Sequence, residues 1–198
     1  SAGVAAICIE DKIFPKKNSL LGDSKHELLP EKDFVAKIIA GKESKVDEDF
    51  MVIARTEALI ANQGMNEAIN RAKAYENAGA DAILIHSKKN TPDEIFEFAD
   101  KWNGNIPLVV VPTSYGSVTV NELIEHKIKM VIYANQSLRA SYVAMSNILK
   151  QISEAESLSQ VKTEIASMDK IFELQEMFTI QLQEKQIEEK LRKLGYIN

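Results

Sequence analysis

Short apolar runs bounded by polar segments recur along the first 135 residues, and amphipathic stretches fill the intervals between them. Val4 to Ile9 is apolar without a break, which predicts a strand buried on both faces. Pro30 then opens a helical stretch from Glu31 to Ala40, with Phe34, Val35, Ile38 and Ile39 on one face and Gly41 marking its end. Met51 to Ala54 predicts a second strand with Arg55 at its tip, followed by a helix capped by Asn66 and ended at Ala78-Gly79. A third strand, Ala82 to Ile85, ends in His86. Thr91-Pro92-Asp93-Glu94 then starts a helix to about Trp102, with Thr91 as its cap. Leu108 to Val111 and Met130 to Tyr133 read as strands four and five, separated by a helix from Thr119 to His126. A long helix from about Ser137 to Ser153 follows. Beyond it, Ile171, Leu174, Met177, Phe178, Leu182, Ile187 and Leu191 recur at helical spacing through a charged stretch.

Strands alternating with helices at this spacing predict an α/β fold with a parallel sheet and helices outside it. Two architectures fit: a doubly wound open sheet, or part of a (β/α)8 barrel. Glu10, Arg55, His86, Thr113 and Asn135 all follow strands, and a ring of polar residues at one mouth favours the barrel. An open sheet would gather its polar groups at one switch point. Five strands cannot close an eight-stranded barrel, so three more are expected before Ser1, where the chain opens directly on a core strand. The barrel part is expected to span 1–157, with a helical extension over 158–198. The polar segment 11–29 is too long for a simple turn and reads as a mobile or functional loop.

Composition narrows the function further. Among 198 residues, 45% are apolar and the net charge is −5, as in ordinary globular proteins. That balance offers no general basic field for nucleic acid or anionic membranes. No apolar run approaches a bilayer span, and no basic segment precedes a hydrophobic stretch at the N-terminus. The single cysteine, Cys8, excludes an intrachain disulfide, and its place mid-strand predicts a buried apolar role. The default location is cytoplasmic.

Candidate chemistry lies at the strand tips. Glu10, followed by Asp11, offers hard oxygen ligands suited to Mg²⁺. Arg55 follows an apolar strand, where an uncompensated charge is expensive, so it needs an anion. Its fork suits carboxylate or phosphate, and the alternative partners are Glu57 and Glu10. His86 is able to donate to a phosphoryl oxygen, or to serve as a structural hydrogen bonder. Lys16, Lys17, Asn18 and Ser19 follow the acidic tip closely, as the lid over an anion would. Phosphate loops, dinucleotide fingerprints and paired histidines at metal spacing are absent.

The stretch Glu10-Asp11-Lys12-Ile13-Phe14-Pro15-Lys16-Lys17-Asn18-Ser19 closely resembles the gating loop of phosphoenolpyruvate mutases, in the isocitrate lyase and phosphoenolpyruvate mutase superfamily. Val52 to Ala58, Ala78 to Lys89, Val111-Pro112-Thr113 and Ala134-Asn135 match in order. The resemblance implies a (β/α)8 barrel whose last helix is exchanged in a homodimer or homotetramer. It implies Mg²⁺ as cofactor, with Glu10 acting through water and the direct aspartate ligand upstream of Ser1. Lys16 and Asn18 would reach the substrate from the lid, beside Ser19 and Leu20. Arg55 and His86 would hold the phosphoryl group. The implied reaction interconverts phosphoenolpyruvate and phosphonopyruvate, the first step of phosphonate biosynthesis. Related phosphonopyruvate hydrolases tend to carry Thr where Asn18 stands, which favours the mutase. The cysteine-containing lid motif of isocitrate and methylisocitrate lyases has no counterpart here. Two alternatives stay open: the hydrolase, and a non-catalytic fragment that serves assembly through its helical tail.

Overall fold

A computed structural model describes residues 3–21, 25–162 and 164–197. Its strands are β1 (Ala6–Glu10), β2 (Met51–Thr56), β3 (Ala82–Ile85), β4 (Leu108–Val110) and β5 (Ile128–Val131). Between them lie α1 (Glu31–Ser44), α2 (Met65–Asn77), α3 (Asp93–Lys101) and α4 (Val120–Glu125). The helices α5 (Gln136–Glu154), α6 (Met168–Leu174) and α7 (Met177–Lys193) complete the chain. Every strand pair is parallel, and the order across the sheet is β1-β2-β3-β4-β5. A doubly wound sheet reverses its order at a switch point. Here there is no reversal, so the sheet winds in one direction, as consecutive strands of a barrel do.

The two faces of the sheet carry different cores, because side chains alternate along each strand. Val52, Ala54, Ile83, Ile85, Leu108 and Val110 face the helices and pack with Phe34, Ile38, Ala72, Tyr75, Ile95 and Phe98. On the other face, Ile53, Ala82, Leu84, Val109 and Val111 form a second cluster with Ala6 and Ile132. Arg55 lies two residues past Ile53 and His86 two past Leu84, so alternation carries both onto this second face.

Several local expectations yield to packing. β1 is not buried: it pairs only with β2 among the described strands, and Ile7 and Cys8 are exposed. Among the described residues, then, nothing packs Cys8 into a core. The first helix runs through Gly41 to Ser44, because its next residue, Lys42, ion-pairs with Asp81 at 2.6 Å. Asp81 also accepts from the Val52 backbone at 2.7 Å, which ties α1 to β2 and β3. Ile39, predicted on the buried face of α1, is 41% exposed. Asn66 does not cap α2; that position is Gly64, at φ 85°, which a residue without Cβ adopts freely. Thr91 bonds the Asp93 carboxylate instead of a backbone amide, and Pro92 takes the cap position. β5 starts two residues earlier than its apolar run, drawn by the pairing of Ile128 with Leu108. The C-terminal helical stretch breaks at Glu176, which adopts a left-handed φ of 57°.

The described chain divides into two compact units, Ser1–Gln136 and Ser137–Asn198. The division falls after the first residue of α5, a helix that contains no buried residue, whereas the composition of the sequence changes near Ser157. In the second unit Phe172 and Phe178 meet edge to face at 6.4 Å. No helix among the described residues is long and apolar enough to cross a membrane.

Candidate active site

Parallel pairing brings the strand ends level, and the polar residues that follow them converge. Glu10 pairs in register with Arg55, and Thr56 with Ile85, the residue before His86. Glu10, Arg55, His86, Thr113 and Asn135 line one cleft of about 390 Å³. Lys16, Lys17, Asn18, Ser19 and Leu20, from the loop after β1, form its remaining wall. Glu10, Lys16, Asn18, Ser19, Leu20, Arg55 and His86, the site residues the resemblance implies, thus border the same space, and Asp11 does not. Residues 22–24 of the 11–29 loop lie outside the described residues.

Arg55 is held among acids. Its Nε is 2.5 Å from Glu57 Oε1 and 3.6 Å from Glu10 Oε2, and its Nη2 donates to Ser19 Oγ at 3.1 Å. Both carboxylates weighed as its partners therefore take part. A guanidinium has five N–H donors, so this leaves donors for an anion in the cleft. Lys16 Nζ, 63% exposed, lies 3.5 Å from Glu10 Oε1.

Glu57 is fully buried. Burial alone would raise its carboxyl, but the charge of Arg55 and hydrogen bonds from Ser19, Lys12 and Arg55 outweigh that and hold it below the usual range. Its Oε2 accepts from Ser19 Oγ at 2.6 Å and lies 2.9 Å from Lys12 Nζ. Lys12 Nζ also donates to Ser19 Oγ at 2.6 Å and to the Lys17 carbonyl at 2.9 Å. Asp11, though next to Glu10, turns away from the cleft. Its Oδ1 accepts from the Glu57 backbone at 2.8 Å, and its Oδ2 from Tyr75 at 2.6 Å and Arg71 at 3.3 Å. The Leu29 amide donates to the Asp11 carbonyl at 2.8 Å, so both ends of the loop are pinned at this residue. Asp11 is an anchor, not a metal ligand.

His86 is 4% exposed, and its Nδ1 has no hydrogen-bond partner among the described residues. Burial, reinforced by the charge of Arg55, lowers its pKa to about 4. The imidazole is neutral at pH 7, with one ring nitrogen to donate and one to accept. Asn18 Oδ1 accepts from the Leu20 amide at 2.9 Å, and its NH₂ group makes no hydrogen bond among the described residues. Asn135 Oδ1 is a second buried polar atom on the cleft without a partner among the described residues. Unsatisfied buried groups of this kind cost about 1–3 kcal/mol each. In a cleft they mark places where a polar ligand would bind.

The donor set suits a cation only in part. Among the described residues neither Glu10 oxygen makes a contact shorter than 3.5 Å to a cation, which leaves both available to water on a metal. No cluster of three His, Cys, Asp or Glu side chains occurs among the described residues. Glu10 thus fits a role through water, and no direct coordination cage is present beside it.

Sequence reasoning assigned no role to Lys12 and treated Glu57 only as a possible partner of Arg55. Two signals pointed further. Glu57 stands two residues past Arg55, on the same face by alternation, and Lys12 stands two past Glu10.

Comparison with known proteins adds an independent line. Residues 1–153 match the family model of phosphoenolpyruvate phosphomutase. The chain is 48% identical over 172 residues to a phosphoenolpyruvate phosphomutase of Tetrahymena pyriformis, covering 87% of this chain and 57% of that protein. The crystal structure of phosphoenolpyruvate phosphomutase from Streptomyces platensis subsp. rosaceus superposes with a TM-score of 0.89 at 43% identity. That match covers 93% of this chain and 64% of the other. A phosphonopyruvate hydrolase in complex with oxalate and Mg²⁺ superposes with a TM-score of 0.83 at 42% identity, covering 91% and 62%. The chain therefore spans somewhat less than two thirds of the length of these relatives.

Proposed function

This chain belongs to the phosphoenolpyruvate phosphomutase family, and from that premise we propose that the protein interconverts phosphoenolpyruvate and phosphonopyruvate. The observation that carries the proposal is the convergence of Arg55, His86 and Asn18 on one cleft, each with hydrogen-bonding capacity to spare. In the reaction the phosphoryl group leaves the enol oxygen, a P–O bond breaks, and a P–C bond forms to the methylene carbon. Such a transfer passes through a loose, metaphosphate-like state in most analyses, so positioning and charge neutralisation supply most of the catalysis.

Arg55 is proposed to grip the phosphoryl oxygens with the guanidinium edge that Glu57 and Ser19 leave free. Neutral His86 would donate to another phosphoryl oxygen. Asn18, its carbonyl already engaged by Leu20, would add an amide donor from the lid. Lys16 would reach the substrate from the same loop, beside Ser19 and Leu20. With the lid down, water is kept from the migrating group; its entry would turn isomerisation into hydrolysis. Mg²⁺, when bound, would neutralise the enolate of the pyruvate portion, and Glu10 is the residue here suited to hold its water. We further propose a homo-oligomer, a dimer or tetramer with exchange of its last helix, acting on this small-molecule substrate in the cytoplasm.

Phosphonopyruvate hydrolase is the second reading, favoured by nearly equal identity to a protein of that name. Product analysis by phosphorus NMR separates the two. The parent protein is expected to convert phosphonopyruvate to phosphoenolpyruvate. Asn18→Thr is expected to depress isomerisation and to leave or raise phosphate release, because a shorter hydroxyl side chain makes room for water. Pyruvate and phosphate from the parent, without phosphoenolpyruvate, would establish the hydrolase instead.

A further inference from the structure

The lid segment lies against the sheet, and its buried contacts centre on one carboxylate, that of Glu57. Ser19 Oγ donates to Glu57 Oε2 at 2.6 Å and accepts from Lys12 Nζ at 2.6 Å and Arg55 Nη2 at 3.1 Å. A hydroxyl has one donor and two acceptor sites, and all three are used. Glu57 in turn divides its oxygens. Oε2 takes the lid through Ser19 and Lys12, while Oε1 takes Arg55 Nε at 2.5 Å. The backbone of Glu57 is fixed independently by Asp11, whose carbonyl also holds the far end of the loop at Leu29. Lys12 and Glu57 are 2% and 0% exposed, so their charges compensate each other where water does not.

We propose that Glu57 is the latch of the lid, a positioning residue that couples closure of the segment from Lys12 to Leu21 to the alignment of the Arg55 guanidinium. The lid can sit down only when Ser19 completes the hydrogen bonding of Glu57 and Lys12. The same seating presses Arg55 Nη2 against the lid and fixes which edge of the fork faces the cleft. Lifting the lid leaves a buried ion pair short of a hydrogen bond and Arg55 short of a constraint. Closure and arginine alignment therefore rise and fall together.

The coupling rests on the reading of this loop as a lid over an anion site, but its test needs no turnover. Lys16 and Lys17 lie on the lid, so trypsin cleavage after them, followed by mass spectrometry on the full chain, reports how often it opens. When opening is fast relative to cleavage, the rate follows the open population. Ser19→Ala, which deletes only the bridging hydroxyl, is expected to speed cleavage at least about tenfold, the scale of one charge-assisted hydrogen bond, with the urea midpoint little changed. Glu57→Gln, which keeps the volume and removes the charge, is expected to speed cleavage as well, with a lower urea midpoint because Lys12 is left buried without its counter-charge. In the double variant the rate should exceed that of the faster single variant only slightly, because both changes cut one bridge. Faster lid cleavage with this non-additivity supports the latch whether or not the protein turns over phosphonopyruvate. Unchanged cleavage in Ser19→Ala, or rate increases that multiply in the double variant, would overturn it.

Discussion

At the residue scale, His86 shows how a cleft stores a cost that a ligand can recover. The ring is buried beside Arg55, its Nδ1 is unpaired, and burial followed by that charge lowers its pKa from 6.5 to about 4. The sign of the consequence is definite. The unfolded chain takes up a proton near pH 6.5 and the folded chain only near 4, so stability is complete above 6.5 and falls as pH drops between the two. A gap of that size corresponds to about 3 kcal/mol by the bottom of the window. Urea midpoints measured at pH 7 and pH 4.5 should therefore separate clearly in the parent, and much less in His86→Gln. Equal separation in both would place the acid sensitivity elsewhere. Glu57 acts in the same direction at lower pH, because its carboxyl is held below its ordinary 4.5 despite burial. These residues also mark where the sequence was readable. Arg55 and His86 stand at the ends of apolar strands, where a charged or imidazole side chain needs a reason, and both border the cleft. The role of Lys12 was not readable, because a lysine on a polar loop looks solvated until the chain folds it onto Glu57.

At the scale of elements, local signals decide some boundaries and packing decides the rest. α4 has only six residues, yet it carries a complete capping box: Thr119 accepts from the Glu122 backbone, and Glu122 reaches back to the Thr119 amide. That helix was legible because the pair Thr-x-x-Glu satisfies backbone donors by itself. Thr119→Ala is expected to lower stability by about 1 kcal/mol, seen as a lower urea midpoint, while the cleft geometry is untouched. No change in midpoint would mean the box contributes nothing beyond what water provides. α1 shows the opposite case. Gly41 signals an end, but the helix continues because Lys42 has a carboxylate waiting at Asp81 and Gly41 sits in ordinary contact with Val52. Those partners lie 11 and 39 residues further on, in β2 and just before β3, and no window of local sequence contains both.

At the scale of the whole molecule, the exposed apolar stripe of α5 is the feature most in need of a partner. Leu138, Tyr142, Met145, Leu149 and Ile152 recur every three or four residues on one face, and all are exposed. Contiguous apolar faces on a helix are covered in stable proteins. Analytical ultracentrifugation is expected to find an oligomer whose dissociation is promoted by Leu149→Glu; a parent that sediments as a monomer at high concentration would count against the proposed assembly. Sequence alone determined the alternation of strands and helices, the polar residues after each strand, and the family signature of the loop after β1, because each depends on spacing within a few residues. It weighed two parallel architectures and favoured the barrel, from the polar strand tips and the family resemblance. What only tertiary structure supplied is the strand order itself, side by side in chain order without a reversal, which bears that reading out. Tertiary structure decided the exposure of Cys8 too, since burial depends on what lies beside a strand and not on how apolar the strand is. The Lys12–Ser19–Glu57 network has the same origin: its members lie 7 to 45 positions apart, and hydrogen bonds over such separations exist only once the sheet has fixed both ends.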